Sequence, residues 1–350
     1  MRSTQMASGS SPIAEAAEGR VVARKIDLWA IKGAEWDAFA KACGCSVKGT
    51  RGHSAAWLLK NFIHYKLCLI ELFDPSAGDS RKIGQCAIGQ RNGGTSFFLD
   101  RIQLLPTDES RWAAAMQAIL LEIGSGEYEY GWELNLEPPR DKDLASLPGV
   151  TVKETTPLVV QAVDFSRWDS WDAYYRDLRK GARQSAQFAV RDIPGLNFKT
   201  WSGRQSIFAI PALTRLKVQL SKRKNLTLRL MDLLTSYLGW TILCPRYTVT
   251  RLARDGNRVL AAYYGAEFGG NFYYLEAASV QGNQGASWAL LLSMIQRSYE
   301  RDPKGKFVMG YVNYAIHEEE LSGGLLRSRT ACRITDFPTS VVRFKYVPPR

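Results

Sequence analysis

The sequence contains the same pattern twice. A segment around Gly93 and Gly94 recurs around Gly269 and Gly270 at a constant offset of 176 residues. The aligned positions keep their apolar or aromatic character, as in the pairs Ile88 with Tyr264, Phe97 with Tyr273, Trp112 with Trp288 and Ile119 with Ile295. A hairpin, a tryptophan and a helical stripe that align at one offset indicate a duplicated structural unit.

Each copy predicts a β-hairpin followed by a helix and another strand. In the first copy the turn at 92–94 joins strands at 82–90 and 95–104, and a helix at 111–123 precedes a strand at 132–136. The second copy repeats this order, with strands at 247–254, 258–268, 271–280 and 306–312 and a helix around 288–299. The fold class predicted is therefore α/β, with a mixed α+β sheet.

Other segments complete the predicted architecture. Further elements are helices at 35–42 and 54–62, strands at 66–73 and 158–165, a helix capped by Ser170 that runs to Arg191, a mostly helical region at 205–238 and one or two strands at 333–346, interrupted at Pro338. Two domains are predicted, at 23–155 and 156–350, after a disordered tail at 1–22. The second contains a basic helical segment at 167–238.

Composition limits the class of protein. A hydrophobic content of 45% over 350 residues is enough for two ordinary cores. The six cysteines show no paired metal-ligand spacing and only three histidines are present, so no metal site is expected. No apolar run is long enough for a transmembrane helix, and residues 1–20 lack the apolar core of a secretory signal. We expect a cytoplasmic protein.

The positive charge belongs to the second half. Residues 1–155 hold 18 Lys and Arg against 19 Asp and Glu, whereas residues 156–350 hold 28 against 15. Residues 167–229 alone hold 14 against 4. A polyanionic partner is more plausible at this segment than elsewhere, although a solvated basic face is the simpler explanation.

The two copies differ at the start of their helix. The first copy has Asp108 and Glu109 there, whereas the second has small residues. A helix N-terminus binds phosphate when the ligand can approach its free N–H groups. Only the second copy is therefore predicted to hold an anionic cofactor, although an ordinary polar turn competes with this interpretation. The candidate cofactor-binding residues are Val280, Gln281, Gly282, Asn283, Gln284, Gly285, Ala286 and Ser287.

The order of elements resembles the core of the Gcn5-related N-acetyltransferase (GNAT) superfamily, and its duplication over residues 25–350 resembles the double-GNAT proteins. These include the CelD and BioF2-like acetyltransferases and the Fem-type aminoacyltransferases. Two local motifs add to the resemblance. Tyr175, Leu178 and Arg183 are similar to a family helix motif Y-x-x-L-x-x-x-x-R, and residues 254–262 are similar to its strand, turn, strand signature.

The resemblance implies two tandem GNAT-like acyl-CoA N-acyltransferase domains, the first degenerate. Acetyl-CoA or another acyl-CoA would bind at 280–287, with Arg179 and Arg183 as further candidates for its phosphates or for an acidic substrate. An N–H near Ala277 or Ala278 would polarise the thioester.

The resemblance also implies which residues act on the amine. Glu276 would be the base, Tyr314 the acid, and His317 either. Glu276 aligns with Asp100, so a shared structural hydrogen bond competes with catalysis. Tyr314 and His317 also fit ordinary loop residues.

Three functions remain open at this stage. The first is transfer of an acyl group to an unidentified amine, either a small molecule or a peptidoglycan or polysaccharide precursor. The second is a Fem-like transferase that uses aminoacyl-tRNA, whose RNA the basic segment would bind. The third is a catalytically inactive scaffold for envelope polysaccharide synthesis. The oligomeric state is not predicted.

Overall fold

The protein is described by a computed structural model that covers residues 20–76, 81–131, 134, 136–225, 227–282, 284–312 and 325–349. Tyr314, His317, Asn283 and residues 1–19 of the predicted tail at 1–22 lie outside these described residues. The predicted domain boundary at 155 falls within a strand and stays a prediction.

The first copy and its flanking elements run to the middle of the chain. Their bounds are β1 Val22–Ile26, α1 Gly33–Ala42, α2 Arg51–Asn61, β2 Lys66–Asp74, β3 Arg81–Gln90, β4 Thr95–Phe98, β5 Gln103–Leu104, α3 Trp112–Ile123, β6 Gly126–Tyr130, α4 Asp141–Ala145 and β7 Val150–Asp164.

The second copy and its flanking elements follow. Their bounds are α5 Trp171–Asp177, α6 Lys180–Asp192, β8 Leu196–Ser202, α7 Ile210–Arg223, α8 Leu230–Leu243, β9 Thr248–Asp255, β10 Arg258–Phe268, β11 Asn271–Ser279, α9 Gln284–Arg301, β12 Lys306–Val312, α10 Leu325–Ala331 and β13 Thr335–Tyr346.

All thirteen strands belong to one mixed sheet. Its order is β1-β2-β3-β4-β6-β13-β7-β12-β11-β10-β9-β8, and β5 pairs with β3. Each copy contributes an antiparallel hairpin whose second strand pairs in parallel with the strand after the helix, β4 with β6 and β11 with β12. The predicted duplication is therefore present in the structure. β7 and β13 join the two copies at the centre of the sheet.

The equivalent tryptophans of the two copies have different surroundings. Trp112 is 3% exposed and donates from Nε1 to the Tyr130 hydroxyl in the core of the first copy. Trp288 is half-buried: it packs against the core of the second copy and also lines a cavity.

The strand predicted at 132–136 is wrong. The strand of the first copy is β6, whose alternating tyrosines Tyr128 and Tyr130 are buried. Leu134 has φ +68°, a left-handed conformation that a strand does not use. Trp132, Glu133 and Asn135 lie outside the described residues.

The helix predicted from Ser170 to Arg191 is two helices. Ser170 caps the first through a bond from the Ala173 N–H, as predicted. The chain turns at Leu178, where ψ is 146°. The backbone groups freed by the break find long-range partners: Arg333 Nε donates to the Asp177 carbonyl, and the Arg179 N–H donates to the Ala331 carbonyl. These partners are more than 150 residues away, so no local pattern reveals them.

Pro338 does not interrupt the last strand. β13 pairs with β7 along its whole length, but β6 pairs only with Val342–Tyr346. Pro338 lacks a backbone N–H, but β6 does not extend to this residue and so loses no hydrogen bond. A strand segment that is paired on one side only accepts proline.

Candidate functional site

The parallel strands β11 and β12 separate soon after they meet. They pair only at Phe272 with Phe307 and at Tyr273 with Val308. Beyond these residues β11 continues beside β10 to Ser279, while β12 continues beside β7. The two strands therefore leave a gap in the sheet, and two cavities adjoin it.

A β-bulge lies at the start of this gap. In the β10–β11 ladder, Tyr264 pairs with Glu276 and Gly265 pairs with Tyr274, so Leu275 is the extra residue. A bulge changes the direction of the side chains that follow it and leaves one residue outside the ladder. Here the side chain that follows is Glu276.

Glu276 accepts two contacts on one carboxylate oxygen. The Tyr237 hydroxyl on α8 donates to Oε2 at 2.5 Å, and Lys217 Nζ on α7 lies 3.2 Å from the same atom. The Glu276 side chain is 30% exposed, so solvent or a ligand can reach it. Burial and the nearby Glu276 charge raise the pKa of Tyr237, which keeps its hydroxyl protonated as the donor.

Glu276 and its repeat partner Asp100 differ in accessibility. Asp100 is buried and accepts from the Ser46 hydroxyl at 3.1 Å. Burial raises its pKa to about 6. Both carboxylates accept from a hydroxyl, as a shared structural role requires, but only Glu276 lies in an open cavity.

A cavity of about 560 Å³ surrounds Glu276, and we call it the Glu276 cavity. Its lining comes from both copies: Lys48, His53, Trp57 and Lys60 on the first side, and Tyr237, Trp240, Tyr274, Glu276, Tyr311 and Arg329 on the second. Aromatic rings and cations therefore surround one carboxylate. This setting suits a ligand with apolar and polar parts.

His53 presents a fixed tautomer to this cavity. Its Nδ1 lies 2.9 Å from the Lys48 carbonyl, which can only accept, so Nδ1 carries the proton and Nε2 keeps its lone pair. Burial, with the Lys48 charge adding to it, lowers the pKa of His53 to about 3. The ring packs 5.2 Å from that of Trp240. His53 is thus a neutral hydrogen-bond acceptor at ordinary pH.

Arg329 binds one edge of the gap. Its guanidinium donates to the carbonyls of Met309 at 2.6 Å and Tyr311 at 3.1 Å, and to Gln161 Oε1. These carbonyls belong to β12, where β11 is no longer its neighbour. The Arg329 guanidinium therefore makes the hydrogen bonds to β12 that a neighbouring strand would make. A ligand in the gap would meet the backbone of β11 rather than that of β12.

A second cavity of about 480 Å³ lies at the N-terminus of α9, and we call it the Ser287 cavity. Its lining residues include Lys224, Tyr274, Ala277, Ala278, Ser279, Ser287, Trp288, Arg327 and Ser328. The Ser287 Oγ atom is buried and has no hydrogen-bond partner among the described residues. Such an atom needs a partner, which a bound ligand or water would supply.

Two glycines near this cavity have different structural roles. Gly282 has φ +83° and no atom within 4 Å of the place of a Cβ, so it is open to a ligand. At Gly285 a Cβ would lie 2.8 Å from the Ser185 carbonyl oxygen and 3.0 Å from Ala189 Cβ. Gly285 therefore allows α9 to pack against α6, which the sequence did not indicate.

The corresponding end of the first copy is filled by ion pairs. Asp108 accepts two bonds from Arg81, at 2.7 and 3.0 Å, and Glu109 binds Arg140. Both carboxylates are therefore paired with arginines of the same chain. The cavity between β4 and β6 is smaller, about 220 Å³, and its lining includes Trp57, Tyr65 and Phe97.

The remaining predicted residues are dispersed. Arg179 is exposed just before α6 and Arg183 is half-buried on it. The cations that line the Ser287 cavity are instead Lys224 and Arg327. Val280 is half-buried, Gln281 is exposed and Ala286 is fully buried, while Gln284 begins α9.

Sequence reasoning missed Lys217, Tyr237 and His53. Their contacts with Glu276 or its cavity join residues 39 or more positions apart, and no local motif marks them.

The topology can be compared with solved structures. FemX aligns with a TM-score of 0.66 at 11% identity, over 93% of this chain and 97% of FemX. The chain has the fold of FemX. The same fold relates it to L-PGS from Bacillus licheniformis, with a TM-score of 0.56 at 12% identity over 91% of this chain and 92% of that one.

The FemX fold also occurs in the C-terminal domain of a putative lysylphosphatidylglycerol synthetase from Agrobacterium fabrum. That domain aligns with a TM-score of 0.55 at 13% identity, over 90% of this chain and 92% of the other. The expected likeness in fold to Fem-type proteins, and the mixed α/β fold with a repeated unit, are thereby confirmed. No family model and no curated protein matches the sequence.

Two searches of the described residues gave negative results. Within that part of the chain, no helix combines the length and the apolar character needed to cross a bilayer. The same residues contain no cluster of three or more His, Cys, Asp or Glu side chains arranged to hold a metal ion.

Proposed function

We propose that this protein is an N-acyltransferase that binds an acyl-coenzyme A at the Ser287 cavity and acylates an amine held in the Glu276 cavity. The observation that carries the proposal is the junction of the two cavities. Tyr274 lines both, and Glu276 lies two residues further along the bulged strand. A donor bound in one cavity and an acceptor bound in the other would meet at this point.

The Ser287 cavity fits the anionic end of the coenzyme. The first turn of α9 has N–H groups without helical partners, and Gly282 leaves their approach open. Lys224 and Arg327 add positive charge, and Ser287 Oγ needs a partner. The coenzyme supplies the acyl group as an activated thioester. Arg179 and Arg183 remain proposed phosphate ligands at the neighbouring helix α6.

Glu276 is the proposed base for the amine. Lys217 and Tyr237 hold Oε2, which fixes the orientation of the carboxylate. The second oxygen takes the ammonium proton, directly or through water, so that the nitrogen lone pair is free. His53 Nε2 accepts a hydrogen bond from the same amine and positions it.

Tyr274 is the proposed donor of a proton to the leaving thiolate, since it lines both cavities. Burial raises its pKa to about 12, so the hydroxyl keeps its proton until the thiolate forms. Tyr314 and His317, outside the described residues, remain proposals for the same proton transfers.

Ligand-induced stabilisation tests the proposal. Acetyl-CoA and longer acyl-CoAs should raise the melting temperature of the wild type, because a ligand that binds only the folded state stabilises it. Lys224→Glu should remove the shift, whereas Lys222→Glu, an exposed control two residues earlier in the chain, should keep it. No shift with any acyl-CoA would contradict the enzyme and favour the inactive scaffold.

A second candidate uses an aminoacyl-tRNA as the donor. The excess of ten positive charges at 167–229 favours it, because a basic surface binds the RNA backbone. Binding of tRNA should then weaken steeply as salt rises from 50 to about 200 mM, by roughly 10³-fold if six or more phosphates are contacted. Filter binding at several salt concentrations decides between the donors, since coenzyme binding depends on far fewer charges.

A further inference from the structure

The first copy has a cavity at the same place as the Glu276 cavity of the second copy. It is the cavity of about 220 Å³ between β4 and β6, and we call it the β4–β6 cavity. Phe98 and Leu99 line it, and their repeat partners Tyr274 and Leu275 line the Glu276 cavity. One wall of each cavity is therefore formed by equivalent residues.

The strand on the other side of each cavity repeats as well. Glu129 on β6 pairs with Phe97 on β4. Val308 on β12 pairs with the repeat partner of Phe97, so it occupies the position of Glu129 in its own copy. Gly131 and Gly310 each lie two residues further on, have φ of +85° and +103°, and line the cavity of their copy. The duplicated unit thus contains two equivalent cavities.

Helix α2 borders both of these cavities. Lys48, in the turn before the helix, and His53 and Trp57 on it line the β4–β6 cavity and the Glu276 cavity alike. Lys60 lines only the Glu276 cavity, and Asn61 lines only the β4–β6 cavity. Because the two cavities share three lining residues, they adjoin, and one ligand can extend from one into the other.

Three aromatic rings form one wall of the β4–β6 cavity. Trp57 packs on β3 at Gly89, where a Cβ would overlap the indole. The Trp57 ring lies 5.2 Å from that of Tyr65 in an edge-to-face arrangement, and Tyr65 lies 5.6 Å from Phe97. Rings that contact one another in this way hold each other in place and can pack against a further ring at the same kind of angle.

The β4–β6 cavity does not offer an amine the carboxylate that the Glu276 cavity offers. Asp100, the repeat partner of Glu276, is buried beside Ser46 and is not among the lining residues. Glu129 does line the cavity, but it is 5% exposed and accepts from Arg343 at 3.0 Å. An uncharged group therefore suits this cavity better than a second amine.

The volume of the β4–β6 cavity fits one ring. An apolar cavity of about 150 Å³ in another protein binds benzene. A cavity of about 220 Å³ therefore accommodates a phenyl ring and part of the chain attached to it. A rigid ring also loses less conformational freedom on binding than a flexible alkyl chain does.

We propose that the β4–β6 cavity binds an aromatic ring of the acceptor, so that the preferred substrates are arylalkylamines whose amino group reaches Glu276. This inference rests on the proposed function, which assigns the amine to the Glu276 cavity. His53 and Trp57 lie four residues apart on α2, a rise of about 6 Å. A chain of a few carbon atoms between the ring and the amine would span this distance.

Calorimetry without any acyl-CoA tests the ring subsite. We expect 4-phenylbutylamine to bind the full chain roughly 10- to 100-fold more tightly than n-butylamine, which is the gain from burial of one phenyl ring. n-Octylamine should bind less tightly than 4-phenylbutylamine. Phe97→Ala removes one ring of the wall and Asn61→Trp fills the cavity, so each should largely abolish the preference for the phenyl compound.

His64→Ala is the control, because this exposed residue follows the same helix but does not line the cavity. It should keep the preference of the wild type. Circular dichroism confirms that each variant is folded.

Three results would overturn the ring subsite. The first is equal affinity of the wild type for 4-phenylbutylamine and n-butylamine, or binding of neither. The second is equal affinity for n-octylamine and 4-phenylbutylamine, which would identify a flexible chain as the occupant. The third is a preference that Phe97→Ala and Asn61→Trp both leave unchanged.

Failure of the proposed function gives a different result. The wild type would then bind 4-phenylbutylamine in preference to n-butylamine, but no acyl-CoA would raise its melting temperature. Conversely, acylation of n-butylamine without any preference for the phenyl compound would support the proposed function and overturn the ring subsite alone.

Discussion

At the scale of single residues, the pair Glu276 and Asp100 allows a proposed catalytic role to be tested against a structural one. Both occupy the same position of the repeat and both accept from a hydroxyl. Glu276→Gln removes the proton acceptor, so we expect release of thiol from acetyl-CoA in the presence of a panel of amines to fall by 10²–10⁴-fold. Binding of the coenzyme, measured by calorimetry, should change little.

Asp100→Asn is the matched control, since it makes the same chemical change in the other copy. Its turnover should equal that of the wild type. Equal losses in both variants would show that the carboxylate at this repeat position has a structural role only.

The ionisation of Asp100 also predicts a pH effect on stability. Because burial raises its folded pKa to about 6 from 3.8, the folded state binds more protons between these values, and stability falls as pH rises through this window. Asp100→Asn removes the buried charge and should stabilise the protein at pH 7.5 by up to about 3 kcal/mol. Urea unfolding at pH 7.5 and 5 should show a smaller gain at the lower pH; a constant gain would contradict the ionisation.

His53 gives a prediction of a different kind. Its pKa of about 3 means that it stays neutral across the working range. His53→Asn should raise the KM for the amine and leave coenzyme affinity unchanged, since the ring lines the Glu276 cavity and not the Ser287 cavity. The pH dependence of kcat/KM should have the same shape in the wild type and in His53→Asn, because the wild type has no ionisation of His53 near pH 6.5. A step near this pH that His53→Asn removes would contradict the neutral assignment.

The sequence identified some of these residues and not others. The repeat led to Glu276 because its neighbours Tyr273 and Leu275 align with Phe97 and Leu99. It did not lead to Lys217, which contacts Glu276 from α7, a helix outside the segments that align between the two copies. Repetition reveals what both copies share, whereas a site made from contacts between copies has no repeated signal.

At the scale of elements, packing decides the identity of Gly285. Gly285→Ala places a methyl group against the Ser185 carbonyl, a backbone atom that cannot turn away, so we expect a loss of roughly 1–3 kcal/mol. The control is Gly181→Ala in α6, which meets no atom within 4 Å and should be neutral or gain up to about 1 kcal/mol. Denaturant midpoints measure both. Equal stability of the two variants would contradict the close contact of α6 and α9.

The elements that the sequence predicted well are those with strong periodicity and clear turns. The prediction of β12 at 306–312 is confirmed, and the turns at Gly256 and Gly269 have the positive φ that glycine permits. β8 and α10 were not predicted. Both are short, and each depends on distant partners: β8 on β9, and α10 on Arg329, which binds β12.

At the scale of the whole molecule, the two copies differ at the start of their equivalent helices. In the first, Asp108 and Glu109 use arginines of the same chain as counter-charges. In the second, the equivalent helix end adjoins a cavity where Ser287 Oγ has no hydrogen-bond partner within the described part of the chain. The first copy contributes His53 and Trp57 to the Glu276 cavity, so under the proposed function it would help to bind the acceptor.

The most direct test of this asymmetry is the stoichiometry of coenzyme A binding, measured by isothermal titration calorimetry on the full chain. The structure predicts one molecule per chain, lost in Lys224→Glu and retained in Lys222→Glu. Two molecules per chain, or one molecule that Lys224→Glu leaves in place, would contradict it.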